Sequence, residues 1–141
     1  MNPHRPSILF VCVHNAGRSQ MAAGFALALG GGRVDVWSAG SAPAKSVHPN
    51  VLDVMKEIGI DLTAASPRRL TDEFVRAADA VVTMGCGDAC PVFPGKRYED
   101  WDVEDPAGKP AAKVREIRDD IRRRVVALLK TLGAISKPRD R

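Results

Sequence analysis

Eight consecutive residues, Cys12-Val13-His14-Asn15-Ala16-Gly17-Arg18-Ser19, carry the clearest chemistry in the chain. They follow the apolar run Ser7-Ile8-Leu9-Phe10-Val11 and precede a stretch rich in Ala, Met and Leu. A β-branched run, a small-residue turn and then helix formers read as strand, loop and helix. In such a turn the loop N–H groups and the helix N-terminus converge on one point that suits an anion. Arg18 lies where its guanidinium fork can close over two oxygens of a tetrahedral anion. Cys12 then sits beneath that anion as a nucleophile, and the helix terminus, Arg18 and the Ser19 hydroxyl all favour its thiolate. Alone, Cys12 would read as a strand-end thiol packed as a small hydrophobe; its neighbours Asn15, Gly17, Arg18 and Ser19 tip the balance to chemistry. Val13, His14, Asn15, Ala16, Gly17, Arg18 and Ser19 form the expected anion-binding segment. Asn15 tolerates positive φ and can brace the loop through its amide, and His14 is assigned packing or loop hydrogen bonding.

The other two cysteines lie together as Cys86-Gly87-Asp88-Ala89-Cys90, after the apolar run Ala80–Met84. Two unrelated loop thiols are the plainer reading, and a resolving pair the sharper one. On a helix they would be one turn apart but poorly directed for a disulfide. Gly85 and Gly87 give the segment freedom to let the sulfurs meet. A redox pair is favoured because a reactive Cys12 should lie on the same edge of a parallel sheet. Asp105-Pro106, taken alone, is a common turn.

The elements that must position these groups alternate. Strands are expected at 7–12, 34–38, 80–84 and, shorter, near 97–101. Helices are expected from Arg18 to Leu29, from Pro49 to Ile58 with Gly59 as its stop, over a short stretch after the Thr71 cap, and from Ala111 to Leu132. The first helix should bury Met21, Ala22, Phe25 and Leu29 on one face. The last should pair Arg115 with Asp119, Asp119 with Arg123, and Asp120 with Arg124. This pattern predicts an α/β three-layer sandwich, with a four-stranded parallel sheet flanked by helices. With 141 residues the chain is expected to form a single catalytic domain over 1–135, with a disordered tail at 136–141. Ligands of such sheets bind beyond the carboxyl ends of the strands, where the strand order reverses.

Composition narrows the partners. A net charge of +4 favours anions mildly and does not mark a nucleic-acid binder. No apolar run approaches a membrane span, and Met1–Pro6 lacks a signal-peptide core, so a cytoplasmic location is expected. Three cysteines there argue for catalytic or redox use over a disulfide framework. His4, His14 and His48 lie in unrelated places, so no metal site is expected.

The chain resembles the thioredoxin-coupled arsenate reductases of the low-molecular-weight protein tyrosine phosphatase fold. The resemblance rests on Val11–Ala22, on Ser38-Ala39-Gly40, on Val81–Met84 followed by Cys86 and Cys90, and on Asp105-Pro106-Ala107-Gly108, in that order. It implies catalytic roles for Cys12, Arg18, Cys86, Cys90 and Asp105. Cys12 attacks arsenate, for which phosphate and sulfate compete, and Asp105 helps the leaving oxygen depart. Cys86 then attacks the Cys12–arsenic adduct, releasing arsenite and leaving a Cys12–Cys86 disulfide. Cys90 attacks Cys86, and an external thiol reductant, thioredoxin or a mycoredoxin working with mycothiol, reduces the resulting Cys86–Cys90 bond. No tightly bound cofactor is implied, and a monomer is expected. Some relatives hold potassium through a carboxylate where this chain has Ala23, so no strong potassium site is expected. The runner-up is a low-molecular-weight protein tyrosine phosphatase whose extra cysteines protect Cys12 from oxidation. An arsenic- or oxidation-sensing module without turnover ranks last, because Asp105-Pro106 would have no job in it.

Overall fold

The computed structural model describes residues 5–85 and 92–135; the expected tail at 136–141 lies outside them. Strand β1 (Ser7–Cys12) is buried along its whole length, as its unbroken apolar run requires. It pairs in parallel with β2 (Asp35–Gly40) on one side and β3 (Ala80–Met84) on the other. Strand β4 (Arg97–Asp100) pairs in parallel with β3, giving the order β2-β1-β3-β4. The expected four-stranded parallel sheet is therefore present, with β2 extending through Ala39-Gly40.

Successive side chains of a strand face opposite ways, and each set has its own helices. Ile8, Phe10 and Cys12 join Ala80, Val82 and Met84 in the larger core, under α1 (Arg18–Gly30), α2 (Pro49–Lys56) and α4 (Ala111–Thr131). Leu9, Val11 and Val81 face the smaller core, with Val75 of α3 (Asp72–Ala77). Thr71 caps α3 by accepting the Phe74 N–H, and Asp72 and Glu73 occupy its first turn.

Helix α1 departs from a single buried stripe. Every residue from Ser19 to Ala26 is buried, because α4 packs against one side while β1 and β2 lie on another. Small residues permit this, and a Cβ at Gly24 would stand 3.2 Å from both Ile60 and Leu62. Only Leu27 of its large apolar residues is exposed.

The charges of α4 also settle differently. Asp120 pairs with Arg124 at 3.2 Å as expected, but Arg115 reaches Glu57 beyond the end of α2 at 2.8 Å. Asp119 is taken by Arg118. Arg118 is itself buried and donates to the Val54 carbonyl and to Glu57. The carbonyl-rich end of α2 draws the guanidinium groups away from their own helix. The Arg115 hydrogen bond, aided by Arg118, holds the Glu57 carboxyl below the usual carboxylate range. A group shifted in that direction stabilises the fold above its ordinary range and loses that effect as pH falls through its folded value. Glu57→Gln is therefore expected to lower the melting temperature at neutral pH, with the gap from the parent closing on acidification. Thermal melts across pH check this, and a gap still undiminished at about pH 3 contradicts it.

Candidate active site: an oxyanion loop at the crossover

The strand order reverses between β1 and β3, and the carboxyl end of β1 opens there. Cys12 is the last residue of β1, in register with Gly40 of β2 and Met84 of β3, and is only 3% exposed. The chain then turns through residues 13–17 into α1. No acidic residue occupies the first turn of α1, so its N-terminus keeps its positive end open to an anion.

The turn depends on Asn15, which is fully buried and is the one described non-glycine residue with positive φ, at 49°. Its amide assignment is fixed by its partners. Oδ1 accepts the Arg68 N–H at 3.0 Å, which can only donate. Nδ2 therefore faces Ser19 and donates to its hydroxyl oxygen at 2.7 Å. Ser19 Oγ, which accepts from Asn15, also lies within hydrogen-bonding distance of Cys12 Sγ, 2.9 Å away. Gln20 closes the network by donating to the Asn15 carbonyl at 3.0 Å.

Arg18, the first residue of α1, has a largely buried side chain. Nη1 donates to the Val103 carbonyl at 3.1 Å, and Nη2 lies 3.8 Å from Asp105 Oδ2. Asp105 Oδ1 accepts the Ala107 N–H at 3.0 Å, which orients the carboxylate. The Asp105-Pro106 turn rests directly on the loop, since a Cβ at Gly17 would meet Pro106 at 2.8 Å. Gly85, at the carboxyl end of β3, has φ of 88°, and a Cβ there would lie 2.9 Å from Arg18 Nη1.

Cys12, Arg18 and Asp105, with the loop Val13–Ser19, thus come to one end of the sheet. Val13, His14 and Ala16 present their carbonyls outward, to the N–H groups of Ala42, Ala44 and His48. His14 is exposed and donates through Nδ1 to the Ala42 carbonyl at 3.0 Å. Cys86 and Cys90 lie outside the described residues; Gly85, which precedes Cys86 in sequence, lies beside Arg18. Among the described residues no three His, Cys, Asp or Glu side chains gather to hold a metal, and no helix is long and apolar enough to cross a membrane. A cavity of about 290 Å³ between α1, β2 and the 62–68 segment includes Gln20 and Arg68 in its lining, but not Cys12 or Arg18.

The sequence motifs include Gln20 and Gly40 but give them no individual role, and they leave out the Arg68 backbone. Gly40 had a signal, since a glycine closing a strand often marks a close backbone approach. A Cβ at Gly40 would stand 2.6 Å from the Val13 carbonyl oxygen and 2.9 Å from the Asn15 nitrogen. Both are backbone atoms, so the loop must shift. Gly40→Ala is expected to cost about 1–3 kcal/mol in urea denaturation, and to weaken phosphate binding by calorimetry. Unchanged phosphate affinity would show that the loop tolerates displacement.

Comparison with known proteins agrees with this geometry. Residues 7–137 match the model of the low molecular weight phosphotyrosine protein phosphatases. A putative arsenate reductase of Halobacterium salinarum is 42% identical over 124 residues, covering 84% of this chain and 87% of its own. Arsenate reductase 2 of Staphylococcus epidermidis is 36% identical over 122 residues, covering 84% and 92%. Among solved structures, the thioredoxin-dependent arsenate reductase of Corynebacterium glutamicum superposes with a TM-score of 0.83 at 44% identity over 94% of this chain. This chain spans 64% of that one. An arginine phosphatase from Geobacillus stearothermophilus gives a TM-score of 0.79 at 28% identity, covering 91% and 93%. The parallel sheet, the Cys12–Arg18 loop at its crossover and a family match along nearly the whole described length lead to one conclusion: the chain belongs to the low molecular weight phosphotyrosine protein phosphatase family.

Proposed function

We propose that this chain reduces arsenate to arsenite through a three-cysteine relay. The observation that carries the reading is that Gly85, the residue preceding Cys86, lies against the guanidinium of Arg18. Gly85 thus lies at the edge of the sheet where Cys12 sits. Relatives named arsenate reductase support the substrate, and the thioredoxin-dependent one supports the reductant.

Arsenate is received by the loop N–H groups and the α1 terminus, with Arg18 balancing its charge. The Cys12 thiolate attacks arsenic, forming an S–As bond as one As–O bond breaks. Asp105 Oδ2 gives its proton to the departing oxygen, which leaves as water. Cys86 then attacks Cys12 Sγ. A Cys12–Cys86 disulfide forms, and the electron pair of the S–As bond stays on arsenic, which departs as arsenite. Cys90 attacks Cys86, frees the Cys12 thiolate and leaves a Cys86–Cys90 disulfide. A dithiol protein of the thioredoxin type, or a mycoredoxin, takes up that oxidation.

The phosphatase reading uses Cys12, Arg18 and Asp105 alone, so serine variants separate the two. In a thioredoxin-coupled assay with arsenate, Cys12→Ser, Cys86→Ser and Cys90→Ser are each expected to lose steady-state turnover by more than about 100-fold. Full turnover in both Cys86→Ser and Cys90→Ser would overturn the relay. Aryl-phosphate hydrolysis that is faster than arsenate reduction in the parent chain, and survives in those two variants, would favour the phosphatase.

A further inference from the structure

We propose that Asn50 is a positioning residue for the proton donor, fastening the Asp105 turn to the loop that holds the oxyanion. This rests on the proposed role of Asp105 and goes beyond it.

Asn50 lies in the first turn of α2, far in sequence from both the nucleophile and the acid. Its Nδ2 donates to the Pro106 carbonyl at 2.9 Å and to the Lys109 carbonyl at 3.2 Å. Those carbonyls stand at the two ends of a turn that Lys109 N–H closes onto Pro106 at 3.0 Å. Both amide hydrogens of one side chain therefore grip both ends of the turn next to Asp105. Among the described residues, these are the side-chain hydrogen bonds that tie residues 106–109 to another element.

The same short segment also holds the loop. His48, which precedes α2, donates its N–H to the Ala16 carbonyl at 2.9 Å. Its ring comes within 3.5 Å of where a Gly17 Cβ would stand, beside Pro106. Residues 48–50 thus bridge two loops: the backbone of His48 binds the oxyanion loop and the amide of Asn50 binds the acid turn. Pro106 is buried against Gly17, whereas Asp105 is half exposed and meets Arg18 only at 3.8 Å. A turn carrying an exposed acid, with a loose ion pair, needs a separate anchor to keep that acid within reach of a leaving oxygen. A displacement of about 1 Å can cost as much as a hundredfold in rate.

The test is a double-mutant cycle on the full chain. Arsenite released in a single turnover of the fully reduced enzyme is followed by rapid quench, and phosphate affinity by calorimetry. Asn50→Ala is expected to slow arsenite release about tenfold while phosphate affinity changes less than about twofold. Asn50→Asp, which keeps the size but cannot donate, should do the same. In an Asp105→Asn background, Asn50→Ala should add less than about twofold, because the group it positions is gone. An equal slowing in both backgrounds, or a loss of phosphate affinity matching the loss of rate, would show a general structural effect and overturn the proposal. An unchanged rate in Asn50→Ala while Asp105→Asn is slow overturns it and leaves Asp105 as the acid. An unchanged rate in Asp105→Asn itself overturns the reading of Asp105, and this inference with it.

Discussion

The site depends on one buried residue held in the left-handed region. Asn15 at φ 49° lets the chain reverse between the end of β1 and the start of α1 within five residues, 13–17. That conformation costs a non-glycine residue roughly 1 kcal/mol, less for asparagine than for most. The hydrogen bonds to Ser19, Arg68 and Gln20 contribute about 1 kcal/mol each, so the network outweighs the strain. The same amide that stabilises the turn also orients Ser19, and Ser19 in turn hydrogen-bonds Cys12. The loop and Cys12 therefore share one set of contacts, and Cys12 cannot be perturbed independently of the loop.

The surroundings crowd onto that loop because two glycines and a proline let them. Gly40 brings the end of β2 against the Val13 and Asn15 backbone, and the 68–70 segment continues the pairing through Gly40 N–H to Arg68 and Leu70 N–H to Gly40. Gly85 gives Arg18 space at the end of β3, where a side chain would collide with the guanidinium. Pro106 seats the Asp105-Pro106 turn on Gly17. The carboxyl ends of β1, β2, β3 and β4 lie at one edge because the strands are parallel.

Much of this was legible from the residues. The continuous apolar run of β1, the small-residue turn and the helix formers from Arg18 together specify a strand, a tight loop and a helix, because each has a local physical signature. Asn15 could be read as a brace because its side chain tolerates the required backbone. What escaped was non-local. Gln20 and Arg68 act on Asn15 through tertiary contacts, and Asn50 acts on a turn more than fifty residues away. Arg118 reads as a charge on a helix, yet it is buried against the end of α2, since helix pairing rather than helical spacing chose its partner. The all-round burial of α1 was likewise hidden, because Ala and Gly at 22–24 and 26 carry little periodic signal of their own.

In the proposed relay the Cys12 sulfur carries the arsenic and passes its oxidation to Cys86 and Cys90. Mass spectrometry of peptides from fully reduced protein, alkylated after a single turnover with arsenate, tests this most directly. The account predicts a Cys86–Cys90 disulfide in the parent chain, and a trapped Cys12–Cys86 disulfide when Cys90 is serine. Arsenite released by the Cys90→Ser variant with Cys12 remaining a free thiol, never joined to Cys86, would contradict it.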